Sequence, residues 1–268
     1  MTLNDIISAL CGAGIEEAEH EALLLAEAFS GSDRDLLSFN KNNDIYSPEL
    51  ERALARRLSR EPLQHILGKW YFWREEYKVS SDCLIPRADS ELLVDFAVKE
   101  LPQNAHFLDL CTGSGCLAVS TLASRPDCRA TALDVSEAAL ALARENAVHN
   151  GVEDRIEFVL ADILTCDPFD GMCFDAIISN PPYIPSSVVD TLSPELAFEP
   201  RIALDGGNDG LIFYKRIISE YKKHIKDCGS LILEIGYDQA EAICALGKEG
   251  TLIYKDLSGN DRMAIIKK

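Results

Sequence analysis

The first 68 residues carry apolar positions at helical spacing. Ile6, Ile7 and Leu10 fall on one face. Ala22, Leu23, Leu24, Leu25 and Phe29 resume the rhythm after a break at Gly12-Ala13-Gly14. Ser47-Pro48 pairs an N-cap residue with proline at the first helical position, which predicts a helix through about Arg60. Pro62 opens another turn that Gly68 stops. A segment this short holds little core of its own, so it predicts a small helical module. From Trp70 to Leu84 the pattern alternates and is rich in aromatic and β-branched residues, as in a hairpin linker. A helix is expected from about Ser90 to Glu100.

From residue 106 the period switches repeatedly between two and 3.6. Strands are predicted at His106–Leu110, Arg129–Val135, Arg155–Leu160, Phe174–Ser179 and Ser230–Ile235. Helices are predicted at Gly115–Ser124, Glu137–Asn150 and Gly210–Ile225. Such alternation means an α/β fold with a doubly wound parallel sheet. Thr251–Asp256 and Arg262–Lys267 flank Ser258-Gly259-Asn260 and read as an antiparallel hairpin at the C-terminal end. The expected organisation is a helical bundle at 1–69, a hairpin linker at 70–85 and a catalytic α/β domain at 86–268.

Composition narrows the function. With 268 residues, 47% hydrophobic and 26% charged, the chain is ordinary for a globular protein. It has no apolar run near the ~20 residues a membrane span needs, and Met1-Thr2-Leu3-Asn4-Asp5 does not resemble a signal peptide. A cytoplasmic location is expected. The nine cysteines are odd in number and form no C-x-x-C pair, which favours reduced core thiols over disulfides or a metal site. A net charge of −18 repels phosphate backbones, so direct nucleic-acid binding is not expected and a protein partner is favoured.

Candidate chemistry sits at strand ends. Asp109-Leu110-Cys111-Thr112-Gly113-Ser114-Gly115 turns the first strand of the α/β region into a helix, and its glycines let backbone approach a ligand. Asp134 ends the second strand, where a carboxylate accepts ribose hydroxyls. Asp162 ends the third and is placed to accept from an adenine amino group. These features predict a nucleotide-like cofactor. Gly113-Ser114-Gly115-Cys116-Leu117-Ala118 also fits the dinucleotide fingerprint, so nicotinamide chemistry competes with S-adenosylmethionine on this evidence alone.

Asn180-Pro181-Pro182-Tyr183 follows the fourth strand. Two prolines stiffen the turn and remove two N–H donors. The Asn180 side-chain oxygen and the Pro181 carbonyl can then accept two N–H bonds of a planar nitrogen, and Tyr183 can stack on its plane. Such a clamp suits methyl transfer to an amide or amino nitrogen and has no use in hydride transfer.

Several segments, taken in order, resemble the release-factor glutamine methyltransferase family of the HemK/PrmC type. They are Pro62-Leu63-Gln64-His65-Ile66-Leu67-Gly68, Leu84-Ile85-Pro86-Arg87-Ala88-Asp89-Ser90-Glu91, the Cys111–Gly115 loop, Asn180–Ile184 and Phe198-Glu199-Pro200. The resemblance implies a five-helix N-terminal domain that helps dock the substrate protein, joined to a class I (Rossmann-like) methyltransferase domain. It implies S-adenosylmethionine as cofactor and no metal. It implies methylation of the side-chain amide of glutamine in the Gly-Gly-Gln motif of class 1 peptide chain release factors. Alternatives are a ribosomal-protein glutamine substrate or adenine-N6 methylation of DNA or RNA. By position, Cys111, Thr112, Gly113, Ser114, Gly115, Asp134, Asp162, Ile163 and Asn180 fall at the cofactor, and Asn180 through Tyr183 at the amide. Cys111 stands where the family usually has glycine, Ile163 where an aromatic is frequent, and Ala88 where proline is frequent.

Overall fold

A computed structural model of the protein describes residues 1–248 and 250–268. The chain divides into two units, Met1–Lys69 with Ser193–Phe198, and Trp70–Leu192 with Glu199–Lys268.

The first unit holds five helices: α1 (Leu3–Gly12), α2 (Ala18–Ser30), α3 (Arg34–Phe39), α4 (Pro48–Leu58) and α5 (Leu63–Leu67). A capping box starts α1, with Thr2 Oγ1 accepting the Asp5 N–H at 3.2 Å and the Asp5 carboxylate accepting the Thr2 N–H at 2.8 Å. Leu3, Ile6 and Leu10 make its buried stripe. Ser47 caps α4 by accepting the Leu50 N–H at 2.9 Å, as the Ser-Pro pair predicts. The apolar faces are small, and polar bonds supplement them. Buried Arg57 meets Glu21 at 2.5 Å and Glu195 at 3.3 Å, and Arg60 meets Glu195 at 2.7 Å.

The second unit, from Trp70, carries the rest of the ribbon β1 (Lys69–Phe72) and β2 (Glu75–Lys78), followed by α6 (Glu91–Glu100). Then come β3 (His106–Leu110), α7 (Cys116–Ser124), β4 (Arg129–Asp134), α8 (Glu137–His149), β5 (Ile156–Leu160) and β6 (Phe174–Ser179). The chain ends through α9 (Ser186–Val189), α10 (Ile212–Arg216), β7 (Ile225–Glu234), α11 (Ala240–Gly247), β8 (Thr251–Lys255) and β9 (Asp261–Lys267). The seven-stranded sheet has the order β5-β4-β3-β6-β7-β9-β8. Strands β3 to β7 run parallel, and β9 inserts antiparallel between β7 and β8.

Successive side chains feed two cores, one on each face of the sheet. Phe107, Ile178, Ile232 and Ile265 face α6, α7 and α8. Leu108, Ile177, Leu231 and Ile266 face Tyr214, Ile217, Tyr221 and Ile243. Both faces are covered, so these strands read as continuous apolar runs.

Two expectations changed on folding. The helix expected over Gly210–Ile225 is α10 followed by a π turn, Ile217–Tyr221, and a 3-10 turn, Lys222–His224. Its inward side chains have polar tips that must end on particular acceptors. The Tyr214 hydroxyl donates to the Glu234 carbonyl at 2.9 Å, the Tyr221 hydroxyl to the Cys166 carbonyl at 2.8 Å, and the His224 ring meets Asp167 at 2.8 Å. Strand β7 starts five residues before the expected Ser230, and its register shifts where Cys228 takes φ 66°. Gly229 is needed there, because a Cβ would lie 2.5 Å from the Asp175 carbonyl oxygen. The short helix α11 carries too few periodic apolar positions to announce itself.

Candidate active site

Strand order reverses between β3 and β6, the switch point at which open α/β sheets place ligands. A cavity of about 200 Å³ opens at the carboxyl ends of the strands there. It is lined by Cys111–Ser114 after β3, Asp134 at the end of β4, Asp162 and Ile163 after β5, and Asn180 and Pro182 after β6.

The loop after β3 folds onto the neighbouring strand end. The Asp134 carboxylate accepts the Gly113 N–H and the Ser136 N–H, each at 2.9 Å. One carboxylate thereby fixes the glycine loop and keeps lone pairs for a ligand. Burial raises the Asp134 pKa, while those backbone N–H groups hold it down. Thr112 donates from its backbone N–H to the Leu133 carbonyl at 3.0 Å and from its hydroxyl to Asp109 at 2.6 Å. Asp109 is wholly buried, which pushes it up to about 7. Gly113 takes φ 54° and Cys111 φ 59°. Gly115 is among the cofactor positions expected from sequence, yet it does not line the cavity. It starts α7 at φ 82°, and a Cβ would sit 3.1 Å from the Ala143 Cβ, so it sets the approach of α7 to α8. Asp162 folds its own turn, accepting the Leu164 N–H at 2.9 Å and the Thr165 hydroxyl at 3.1 Å. Ile163 is buried against the same cavity.

The loop after β6 is held by groups far away in sequence. Asn180 Nδ2 donates to Ser90 Oγ at 3.0 Å, and Ser90 Oγ donates to Glu234 Oε2 at 2.5 Å. The Tyr183 hydroxyl donates to Glu234 Oε1 at 3.3 Å. Gln239 Nε2 donates to the Tyr183 carbonyl at 2.9 Å. Ile184 exchanges backbone bonds with Leu204 at 3.0 Å and Gly206 at 2.8 Å. Gly206 and Gly210 let that strip lie against the loop. A Cβ on Gly206 would be 2.8 Å from the Tyr183 Cα, and one on Gly210 2.4 Å from the Tyr183 carbonyl oxygen. Among the described residues, none donates a hydrogen bond to Asn180 Oδ1 or to the Pro181 carbonyl. Asn180 and Pro182 line the cavity, whereas Pro181 and Tyr183 stand behind them.

Asp82, Asp134 and Asp162 line the cavity, and among the described lining residues Arg87 alone is cationic. Its guanidinium pairs with buried Glu199, which also accepts the Ile85 N–H at 2.8 Å. Carboxylates with the one cation engaged suit a positively charged sulfonium cofactor and disfavour a pyrophosphate. The donor set therefore fits S-adenosylmethionine. Cys83, Cys111 and Cys116 complete the wall. Burial raises all three thiols, Cys116 to about 12, so they stay protonated and inert. No group of three or more metal-ligating side chains is found among the described residues, and none of their helices is long and apolar enough to cross a membrane.

Ser90, Glu234, Gln239, Gly206 and Gly210 were not among the sequence-based candidates. Glu234 left one signal, an acid closing the apolar run Leu231-Ile232-Leu233 at a parallel strand's end.

Comparison with known proteins agrees with this geometry. A family model described as methyltransferase small domain matches residues 87–197, and one described as PrmC N-terminal domain matches residues 2–68. The release factor glutamine methyltransferase of Caulobacter vibrioides is 38% identical over 263 residues, covering 94% of this chain and 90% of its own. That of Cereibacter sphaeroides is 38% identical over 270 residues, covering 97% and 95%. A solved methyltransferase from Pyrococcus furiosus superposes with a TM-score of 0.52 at 19% identity, covering 70% of this chain and 86% of that one, a likeness of fold alone.

Proposed function

The chain belongs to the release factor glutamine methyltransferase family, and from that premise we propose how its cavity is used. The protein transfers methyl from S-adenosylmethionine to the side-chain amide nitrogen of the glutamine in the Gly-Gly-Gln motif of a class 1 release factor. Cys111, Thr112, Gly113, Ser114, Asp134, Asp162 and Ile163 hold the cofactor. Asn180, Pro181, Pro182 and Tyr183 hold the amide. Residues 1–69 dock the release factor, 70–85 link, and 86–268 carry catalysis. The odd, unpaired cysteines support a cytoplasmic location, and the −18 charge supports a protein substrate over nucleic acid.

One observation carries the reading of the clamp. Asn180 Nδ2 is committed to Ser90, so Oδ1 is the amide's remaining polar atom, next to a Pro181 carbonyl with no protein donor. Two acceptors, one on a residue of the cavity wall and one on the next residue of the loop, match the two N–H bonds of a primary amide. S-adenosylmethionine supplies an electrophilic methyl carbon. An amide nitrogen is a poor nucleophile, because its lone pair is delocalised into the carbonyl. The chain's task is to fix the nitrogen's plane and direction, which supplies several kcal/mol. As the new N–C bond forms and the methyl–sulfur bond breaks with its electron pair left on sulfur, the N–H groups become more acidic, and their bonds to Asn180 Oδ1 and the Pro181 carbonyl strengthen. One of those protons then passes to solvent, leaving a neutral secondary amide. Apolar Pro182, Leu117 and Ile163 form part of the cavity wall.

The test is transfer of labelled methyl to a purified class 1 release factor. Label should appear on the factor and vanish when the Gly-Gly-Gln glutamine is replaced. Label in nucleic acid or in a ribosomal protein, with none in the factor, would overturn the proposal.

A further inference from the structure

Glu234 closes β7 with its side chain 2% exposed, and it does not line the cavity. An isolated buried carboxylate is costly unless every oxygen is served. Here both oxygens are served, and both lead to the catalytic loop. Oε2 takes the Ser90 hydroxyl hydrogen at 2.5 Å, and Oε1 takes the Tyr183 hydroxyl hydrogen at 3.3 Å. Ser90 has one hydrogen. Once it is given to Glu234, Ser90 Oγ can only accept, and it accepts from Asn180 Nδ2 at 3.0 Å.

We propose that Glu234 is a positioning residue for methyl transfer, setting through Ser90 which face of the Asn180 amide meets the substrate and steadying the loop's far end through Tyr183. This rests on the reading of Asn180 Oδ1 as the amide acceptor. The device depends on charge. An ionised carboxylate only accepts, so the chain Asn180 to Ser90 to Glu234 has one direction. A protonated carboxyl can donate to Ser90, whose hydrogen is then free to turn toward Asn180 Oδ1. The amide flips, and Nδ2 faces a substrate that has only N–H groups to offer.

The surroundings allow that switch near neutrality. Burial pushes Glu234 up to about 7. The titratable and charged groups around it are Asp89 and Arg262 (paired at 3.2 Å), the Tyr183 and Tyr214 hydroxyls, and the Cys116 thiol. Arg262 favours the ionised form and Asp89 opposes it. The active form is the carboxylate, so kcat should rise with pH through this titration.

Glu234→Gln keeps the shape but replaces two acceptors with one acceptor and one donor, so the direction of the chain is no longer fixed. Against a purified release factor, kcat should fall about 30-fold or more, with cofactor affinity by calorimetry unchanged and the acidic limb of the kcat–pH profile lost. Ser90→Ala cuts the link while leaving the carboxylate. It should lower kcat similarly, and the double variant should be no worse than either single one. Ser90→Ala decides the matter if Glu234→Gln does not fold. Unchanged kcat and pH limb in these variants would overturn the proposal. So would a loss of cofactor affinity equal to the loss of activity, which marks a merely structural role. Asn180→Ala separates the two layers. If it retains activity, the clamp reading itself fails. If it is inactive while Glu234→Gln and Ser90→Ala match wild type, only the positioning role fails.

Discussion

The two halves of the cavity are built on different plans. Around the Cys111–Gly115 loop, the hydrogen bonds come from neighbouring strand ends and from helix α8, at most 32 residues apart. On the amide side, Asn180 is oriented by Ser90, 90 positions away, and Ser90 by Glu234, 144 positions away. Binding a cofactor needs a turn and a few acceptors, which a βαβ unit supplies locally. Orienting one amide requires walls on several sides, and only distant segments can provide them. If this contrast is sound, damage to the distant supports should lower turnover, and damage to the local loop should lower affinity.

The strongest test of the contrast is Gly210→Ala. A Cβ there would lie 2.4 Å from the Tyr183 carbonyl oxygen and 2.8 Å from Gln239 Nε2, at a φ of 70° that suits glycine. Displacing the loop by a fraction of an ångström should cut kcat by about 100-fold, with the calorimetric Kd for S-adenosylmethionine within about twofold. A comparable loss in both would merge the two halves. Asp134→Asn probes the other side. It removes charge-assisted bonds to Gly113 and Ser136 and, on the proposed reading, an acceptor for the ribose. Such bonds are worth ~1.5–3 kcal/mol each, so Kd should rise at least about tenfold, while kcat at saturating cofactor should stay within about threefold. Cys111→Gly gives the smallest effect. Glycine relieves the φ of 59° but gives up a half-buried side chain and adds freedom to the unfolded chain. These terms oppose each other, so thermal unfolding should report a change under about 1 kcal/mol. A larger loss of stability, or a weaker cofactor complex, would make the thiol a contact rather than a tolerated substitute.

The same contrast explains what could be read in advance. Strands β3 and β6 and helices α7 and α8 were legible because their periods are strong and both faces of the sheet are covered. The loop through Cys111–Gly115 and the acids Asp134 and Asp162 were legible because each sits at a strand end next to its own pattern. Ser90 and Glu234 were not, since a serine inside the Leu84–Glu91 segment and an acid closing a strand do not name each other as partners. Only the folded sheet brings them together. Gly206 and Gly210 were hidden for the same reason, because what excludes a side chain there is the Tyr183 backbone. The broken helix after Leu211 was unreadable because its buried positions Tyr214, Ile217, Tyr221 and His224 keep the spacing of an unbroken helix.

In the proposed clamp, the paired acceptors at Asn180 Oδ1 and the Pro181 carbonyl also count hydrogens. A glutamine amide offers two N–H bonds and satisfies both oxygens. A deamidated glutamine offers none and brings a negative charge against two lone pairs, a mismatch that sites of this kind reject by ~10⁴-fold or more. The product has one N–H left, and its methyl group would have to face one of the oxygens. The clamp is therefore expected to turn away a damaged substrate and to stop after one addition. Intact-mass analysis of the modified factor should show a single methyl increment even at long reaction times. A second increment would mean that one of the two oxygens is not in use.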